Sequence, residues 1–321
     1  MTTAIAATAT RHVGLDLGAT NLKWAVVERV GDAWATVARD QVATRLVADP
    51  EAVPRAVVGQ LGEVARSAGT EWGPVASVGI GVPGLYDPVA GTTRFLVNVP
   101  GPWAGQAVAG PVAEAVGVPA SLVNDARAFG LAELRLGAGR GVSTMVGLTL
   151  GTGVGGVIVV DGRIHHGHDG TAGEVGHLTI DPDGPPCGCG SRGCLEAFAR
   201  ADRIAAACGT ASAEEAVAQA RAGDARAADG LARIGRYLGV GIASVVTLIT
   251  PDRVVIGGGI SAAADLLLPP IRAEMRRRVR TTALDEVEVV TAELGTWAGA
   301  IGAAVHGAEV AAAAPASAGS R

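Results

Sequence analysis

One imidazole and three thiols lie within a short, glycine-loosened stretch: His177, Cys187, Cys189 and Cys194. Imidazole nitrogen and thiolate sulfur are both ordinary zinc ligands, and four of them complete a tetrahedron. A Cys₃His set is that of a closed structural zinc site, with no position left for a reacting water. Glycines at 188, 190 and 193 let the backbone wrap a small ion without strain. Two disulfides from the four cysteines are the weaker reading. Cys208 sits in an Ala-rich helical pattern and reads as a small buried hydrophobe. Cys187 and Cys189 are also too closely spaced to bridge easily.

Carboxylates and glycines supply the rest of the chemistry. Three glycine turns stand where strands should end, at 16–21, 151–156 and 257–259. Glycine removes the side chain that would keep backbone N–H groups from a phosphate. An ordinary tight turn explains any one of them alone. None is a P-loop, because no Gly-Lys-Ser/Thr follows, and the first two turns lead into strands rather than the helix of a dinucleotide fold. Two hairpin turns facing each other would clamp a nucleotide triphosphate, with Asp16 placed to hold Mg²⁺ through water. Asn124-Asp125 opens an apparent helix. Asp125 is either its N-cap or the base that takes a proton from an attacking hydroxyl, and spacing alone leaves both open. Glu174 and Glu196 flank the thiol segment, and a carboxylate accepts paired hydrogen bonds from the adjacent hydroxyls of a polyol. A helix first-turn position is the alternative for Glu196. His177 can serve twice, one ring nitrogen on the metal and the other toward a ligand. His165, His166 and His168 read as a solvated loop rather than a second metal site.

An internal echo indicates what positions these residues. Val-Gly-Leu-Asp-Leu-Gly at 13–18 returns as Val-Gly-Leu-Thr-Leu-Gly at 146–151, changed at one position. Each copy runs through a small-residue turn into a β-rich run, at 24–30 and 157–161, which describes a β-hairpin. The wide separation suggests two related lobes rather than a solenoid. Helices are expected from Asp49-Pro50 to about Gly69, then over 106–116, 126–136, 199–208, 213–221, 225–249, 262–280 and 297–310. Strands are expected over 75–82, 120–123, 253–256 and 287–290. Strands alternating with helices imply parallel or mixed sheets with ligands at strand ends.

The 321 residues exceed what one core usually serves. An Ala-, Gly- and Val-rich composition with 3% aromatics suits an α/β enzyme packed with small side chains. A net charge of −5 without a basic arm argues against a nucleic-acid partner, and 272–280 reads as a solvated, Arg-rich helix face. The start of the chain lacks a cationic region ahead of an apolar core, so no signal peptide is expected. Residues 295–314 contain His306 and Glu309 among Ala and Gly, a packing helix rather than a membrane span. Thiols committed to a metal favour the reducing cytoplasm.

These residues resemble the ROK family (repressor, open reading frame, kinase), a group of sugar kinases and repressors within the actin/hexokinase-like ATPases. The resemblance covers nearly the whole chain. Its most specific element is Glu-Val-Gly-His at 174–177 leading into Cys187-Gly-Cys189-Gly-Ser-Arg-Gly-Cys194-Leu-Glu196. It implies an α/β, two-lobed actin/hexokinase-like (ribonuclease H-like) fold with sugar and ATP in the interlobe cleft. A small lobe would comprise 1–123 and a returning helix 297–314, a large lobe 124–296 with the zinc segment 174–196, and a disordered tail 315–321.

By the same resemblance Asn124, Asp125, Glu174, His177 and Glu196 bind the sugar, Asp125 is the catalytic base, and the zinc is structural and orders the sugar loop. Asp16, Gly18, Ala19, Thr20, Asn21 and Lys23, with Gly151, Thr152 and Gly153, become the phosphate sites for ATP and Mg²⁺. Gly257, Gly258 and Gly259 become the adenosine site. Ala19 stands where the family usually has a second glycine, and Val157 where the second turn often carries another. About a dozen residues precede the first phosphate strand, too few for the helix-turn-helix of the repressor branch. Within the kinase branch the chain looks most like actinobacterial-type zinc-containing glucokinases. That implies ATP-dependent phosphorylation of D-glucose by a cytoplasmic homo-oligomer, dimer or tetramer, without nucleic-acid or membrane partners. N-acetylmannosamine, N-acetylglucosamine or mannose as sugar, polyphosphate as donor, and a non-catalytic sugar-binding regulator are the alternatives.

Overall fold

The computed structural model describes residues 8–313, so the expectations for the extreme N-terminus and for the tail at 315–321 lie outside the described residues. The chain divides into two compact units of nearly equal length, 1–136 with 297–321, and 137–296.

The first unit contains β1 (Thr10–Leu17), β2 (Asn21–Val30), β3 (Ala33–Ala43), α1 (Val53–Trp72), β4 (Ser77–Val82), β5 (Gly84–Asp87), β6 (Thr92–Leu96), α2 (Ala109–Val116), β7 (Ala120–Asn124) and α3 (Asp125–Leu136). Its main sheet has the order β3-β2-β1-β4-β7. β1 and β2 form an antiparallel hairpin, while β1–β4 and β4–β7 run parallel. The second unit contains β8 (Met145–Leu150), β9 (Val154–Val160), β10 (Arg163–Ile164), α4 (Glu196–Ala199), α5 (Ala201–Cys208), α6 (Ala213–Arg221), α7 (Ala225–Ile249), β11 (Arg253–Gly257), α8 (Ala264–Arg278) and β12 (Glu288–Thr291). Its sheet, β10-β9-β8-β11-β12, again pairs an antiparallel hairpin with two parallel strands. The repeated hexapeptide therefore marks a repeated sheet. In both copies its alternate apolar side chains, Val13, Leu15 and Leu17 and then Val146, Leu148 and Leu150, enter the core.

Several expected boundaries moved for local reasons. Asp49 caps the entry to the first helical segment, its side chain accepting from the Glu51 N–H. α1 then runs through Gly69 and stops at Gly73, whose φ of 92° is one that glycine supplies without penalty. The helix expected over 199–208 is two, because Arg200 is extended at φ −73°, ψ 162°. α6 and α7 match expectation. The strand β3 and the hairpin β5–β6 add to the expected elements. α7 is, among the described residues, the helix long and apolar enough to cross a membrane by composition. Half of that apolar window is buried, and Leu231, Ile234, Leu238 and Ile242 line the core of its unit.

The last helix, α9 (Ala298–Ala313), belongs to the first unit and packs on β1, β4 and α3. That packing groups α3 with the first unit, whose first stretch ends at Leu136. The contacts are backbone on backbone. A methyl group on Gly302 would collide with the Ala128 carbonyl of α3, and one on Gly79 with the Ala303 carbonyl of α9. Gly302→Ala is therefore expected to push α9 off α3 and to destabilise the protein by about 1–3 kcal/mol, as overpacking does. Urea denaturation measures it; an unchanged midpoint would mean that the helices do not meet this closely.

Candidate active site

At the carboxyl end of the first sheet, strand pairing aligns Asp16 with Gly81 and Val82 with Asn124. Asp16 and the pair Asn124-Asp125 thus lie at one edge, where parallel strands present ligand-binding residues. Burial pushes the Asp16 carboxyl up from its ordinary value, partly offset by the Lys23 ammonium opposite it in the hairpin. Its carboxylate also lies so close to Gly299 in the first turn of α9 that a side chain there would strike it. The 18–20 turn is closed by a Gly18 N–H to Asn21 carbonyl bond of 3.1 Å. It is braced by Thr44, whose hydroxyl donates to the Gly18 carbonyl at 2.7 Å. Sequence reasoning did not find Thr44, and no local pattern marks it.

The choice between cap and base at residue 125 has a structural answer in part. Asn124 Oδ1 accepts from the N–H groups of Ala126 and Arg127 at 3.1 and 3.2 Å, which makes Asn124 the cap of α3. Asp125 is the first helical residue, and its Oδ1 accepts from the Ala126 N–H at 2.8 Å.

In the second unit the thiols and the imidazole of the sequence motif come together. Ligand atoms of His177, Cys187, Cys189 and Cys194 all lie within 4.8 Å of one another. Cys189 and Cys194 sulfurs are 3.7 Å apart, and Cys187 Sγ is 3.8 Å from His177 Nδ1. Thiolates about 2.3 Å from one tetrahedral ion stand about 3.8 Å apart, so donor set and spacing both fit a metal ion. Nδ1 faces the thiols, which leaves Nε2 on the other edge of the ring. Without a cation, burial pushes the Cys187 thiol up to about 12, whereas the Ser191 N–H draws Cys189 down. The chain crosses itself tightly here: a side chain on Gly193 (φ 66°) would run into the Asp181 carbonyl. Cys208 is buried elsewhere, its thiol on the Ala227 carbonyl. Among the described residues no second ligand cluster gathers, and His165, His166 and His168 are exposed.

The glycine turns of this unit adjoin each other. Gly151–Gly153 joins β8 to β9, closed by a Gly151 N–H to Gly153 carbonyl bond of 3.0 Å. Gly258, at φ 89°, lies against the backbone of Leu150, where any side chain would clash. Gly257 ends β11 beside Thr149, and Gly259 opens a short 3₁₀ turn ahead of α8. Glu174 precedes the 3₁₀ turn Val175–His177, and Gly176 of that turn touches the Val154 carbonyl at the start of β9. Glu196 Oε2 accepts from the Val154 N–H at 3.0 Å, and Oε1 is 3.7 Å from Cys187 Sγ. This placement of Glu196 beside a glycine turn was not legible in the sequence, because its partner lies 42 residues away.

The family model described as the ROK family matches residues 12–308. A glucokinase of Thermotoga maritima is 35% identical over 311 residues, covering 91% of this chain and 95% of that protein. A glucokinase of Streptomyces coelicolor is 33% identical over 315 residues, covering 91% and 96%. The solved ROK family glucokinase from Streptomyces griseus, in complex with glucose and AMPPNP, superposes with a TM-score of 0.77 at 31% identity, covering 93% of this chain and 99% of that one.

Proposed function

This chain belongs to the ROK family, and from that premise we propose that it is a glucokinase, transferring the γ-phosphoryl group of ATP to the 6-hydroxyl of D-glucose. The observation that carries the reading is the similarity, over almost the whole chain, to a ROK glucokinase solved with glucose and AMPPNP. It is supported by side chains here that suit each step. Asp125 is the base. Its carboxylate takes the proton of the sugar hydroxyl as the new O–P bond forms and the bond to the β-phosphate oxygen breaks, releasing ADP. Glu174, Glu196 and Asn124 accept or donate hydrogen bonds to sugar hydroxyls, and His177 offers Nε2 to the same ligand.

The turns at Asp16, Gly18, Ala19, Thr20, Asn21 and Lys23, and at Gly151, Thr152 and Gly153, hold the phosphates of ATP through backbone N–H groups and the Lys23 ammonium. The turn at Gly257, Gly258 and Gly259 receives the adenosine. Mg²⁺, when bound with ATP, neutralises charge building on the transferred group, and Asp16 would hold it. Zinc fits His177, Cys187, Cys189 and Cys194 as a structural ion in a reducing, cytoplasmic setting.

A coupled ADP-release assay across a sugar panel tests the reading. Glucose is expected to exceed N-acetylglucosamine and N-acetylmannosamine in kcat/KM, by up to roughly 10⁴-fold. Carboxylate and imidazole acceptors at Glu174 and His177 suit hydroxyl donors, and a site built for a hydroxyl penalises its loss heavily. Equal turnover of an N-acetylated sugar would make the chain an amino-sugar kinase. Absence of ADP release with every sugar would make it a regulator.

A further inference from the structure

Glu196 joins two features that the sequence presents separately, the thiol cluster and the glycine turn after β8. Its carboxylate sits against Gly153 so closely that a methyl group there would collide with it, and Oε2 holds the Val154 N–H at 3.0 Å. The other end of the same turn is also tied to this segment: the Ala201 N–H, at the start of α5, donates to the Gly151 carbonyl at 2.9 Å. The turn is therefore gripped at both ends by residues 196–201.

That segment follows directly on the stretch that carries the candidate metal ligands. The Ile180 N–H bonds the Gly193 carbonyl at 2.8 Å and the Leu195 N–H bonds the Leu178 carbonyl at 2.9 Å, so the chain next to His177 is laced to the chain around Cys194. Leu195 is fully buried, against Gly241 of α7. Glu196 thus leaves a fixed point two residues after Cys194, with little freedom in where its side chain begins.

We infer that Glu196 is a positioning residue that transmits the order of the metal cluster to the Gly151–Val154 turn, so that affinity for the phosphoryl donor depends on the metal. Orientation of the Gly153–Val154 peptide decides where the turn's N–H groups aim, and Glu196 fixes that orientation. A carboxylate has about four lone-pair sites, so Oε1 stays available to a sugar hydroxyl while Oε2 holds the turn. The part concerning the donor rests on the proposed role of this turn in binding ATP phosphates; the coupling itself does not.

Amide hydrogen exchange on the full-length, metal-loaded protein tests the coupling without nucleotide. Exchange at Val154 is expected to accelerate about 10–100-fold in Glu196→Ala, the scale of a hydrogen bond to a charged group. Glu196→Gln, which keeps a carbonyl acceptor, should restore most of the protection. Cys189→Ser, which removes an exposed ligand, should accelerate Val154 exchange in wild type but add nothing in the Glu196→Ala background. Unchanged exchange in Glu196→Ala, or additive effects in the double variant, would overturn the inference. AMPPNP titration then separates the two readings. Weaker binding in Glu196→Ala by about tenfold or more, repaired in Glu196→Gln, supports both. Lost protection with unchanged AMPPNP affinity keeps the coupling and removes the turn from the donor site.

Discussion

Asp125→Asn is expected to lower kcat by roughly 10²–10⁴-fold, the usual worth of a positioned general base. The substitution keeps size and most hydrogen-bonding capacity but cannot take the proton. Affinity for glucose should change far less than kcat, because hydroxyl contacts remain available to the amide. The fold should be almost indifferent to the change. Asn124, not Asp125, caps α3 with bonds of 3.1 and 3.2 Å, so the helix keeps its cap in the variant. Stopped-flow or coupled kinetics gives kcat, and urea denaturation gives stability. A variant with intact kcat and a lowered midpoint would remove Asp125 from the chemistry and return it to the scaffold.

Removing the metal is expected to have the largest effect on stability. Apparent binding energies of structural zinc sites are on the order of 10 kcal/mol, comparable with the roughly 5–15 kcal/mol that holds a whole domain together. The segment around Cys187, Cys189 and Cys194 shows why the second unit would depend on it. Cys187 and Cys194 share a small buried cluster with Ala197, so the loop between them leans on the main core only through neighbours such as Leu195. Metal analysis should find about one equivalent per chain. Chelation, or Cys194→Ser, should lower the melting temperature and abolish the protection of residues 177–196. A metal-free preparation with the same melting temperature and full activity would rule the ion out as a structural element.

How far the sequence reveals this molecule depends on the range of the interaction involved. The two hairpins were legible because a hexapeptide repeats with one change and its alternation has the period of a strand. The helix after Asp49-Pro50 was legible because capping is local. The gathering of His177, Cys187, Cys189 and Cys194 was legible because ligand chemistry restricts the residue types that can serve. β3 was not, since its outward-facing, mostly small and polar residues carry little apolar alternation. The hairpin β5–β6 was missed because strands of four and five residues are too short to show a period. The choice between Asn124 and Asp125 as cap turns on which of two adjacent oxygen-bearing side chains folds back. Thr44 on Gly18, Glu196 on Val154 and α3 on α9 are contacts across long stretches of chain. Nothing in the flanking residues announces them.

The backbone-tight seat of α9 on β1, β4 and α3 bears on how the protein is made. The second unit is one uninterrupted stretch, 137–296, whereas the first needs residues from both ends of the chain. As translation proceeds, Gly14 and Gly79 reach the ribosome exit long before the helix that covers them. At about 5–20 residues per second that interval lasts roughly 10–60 s. During it the first sheet lacks its cover, and the later-synthesised unit is complete before the earlier one. The last residue that the second unit needs is thus made before the last residues that the first one needs. In a newly made chain, arrival of α9 is the event that closes the first unit.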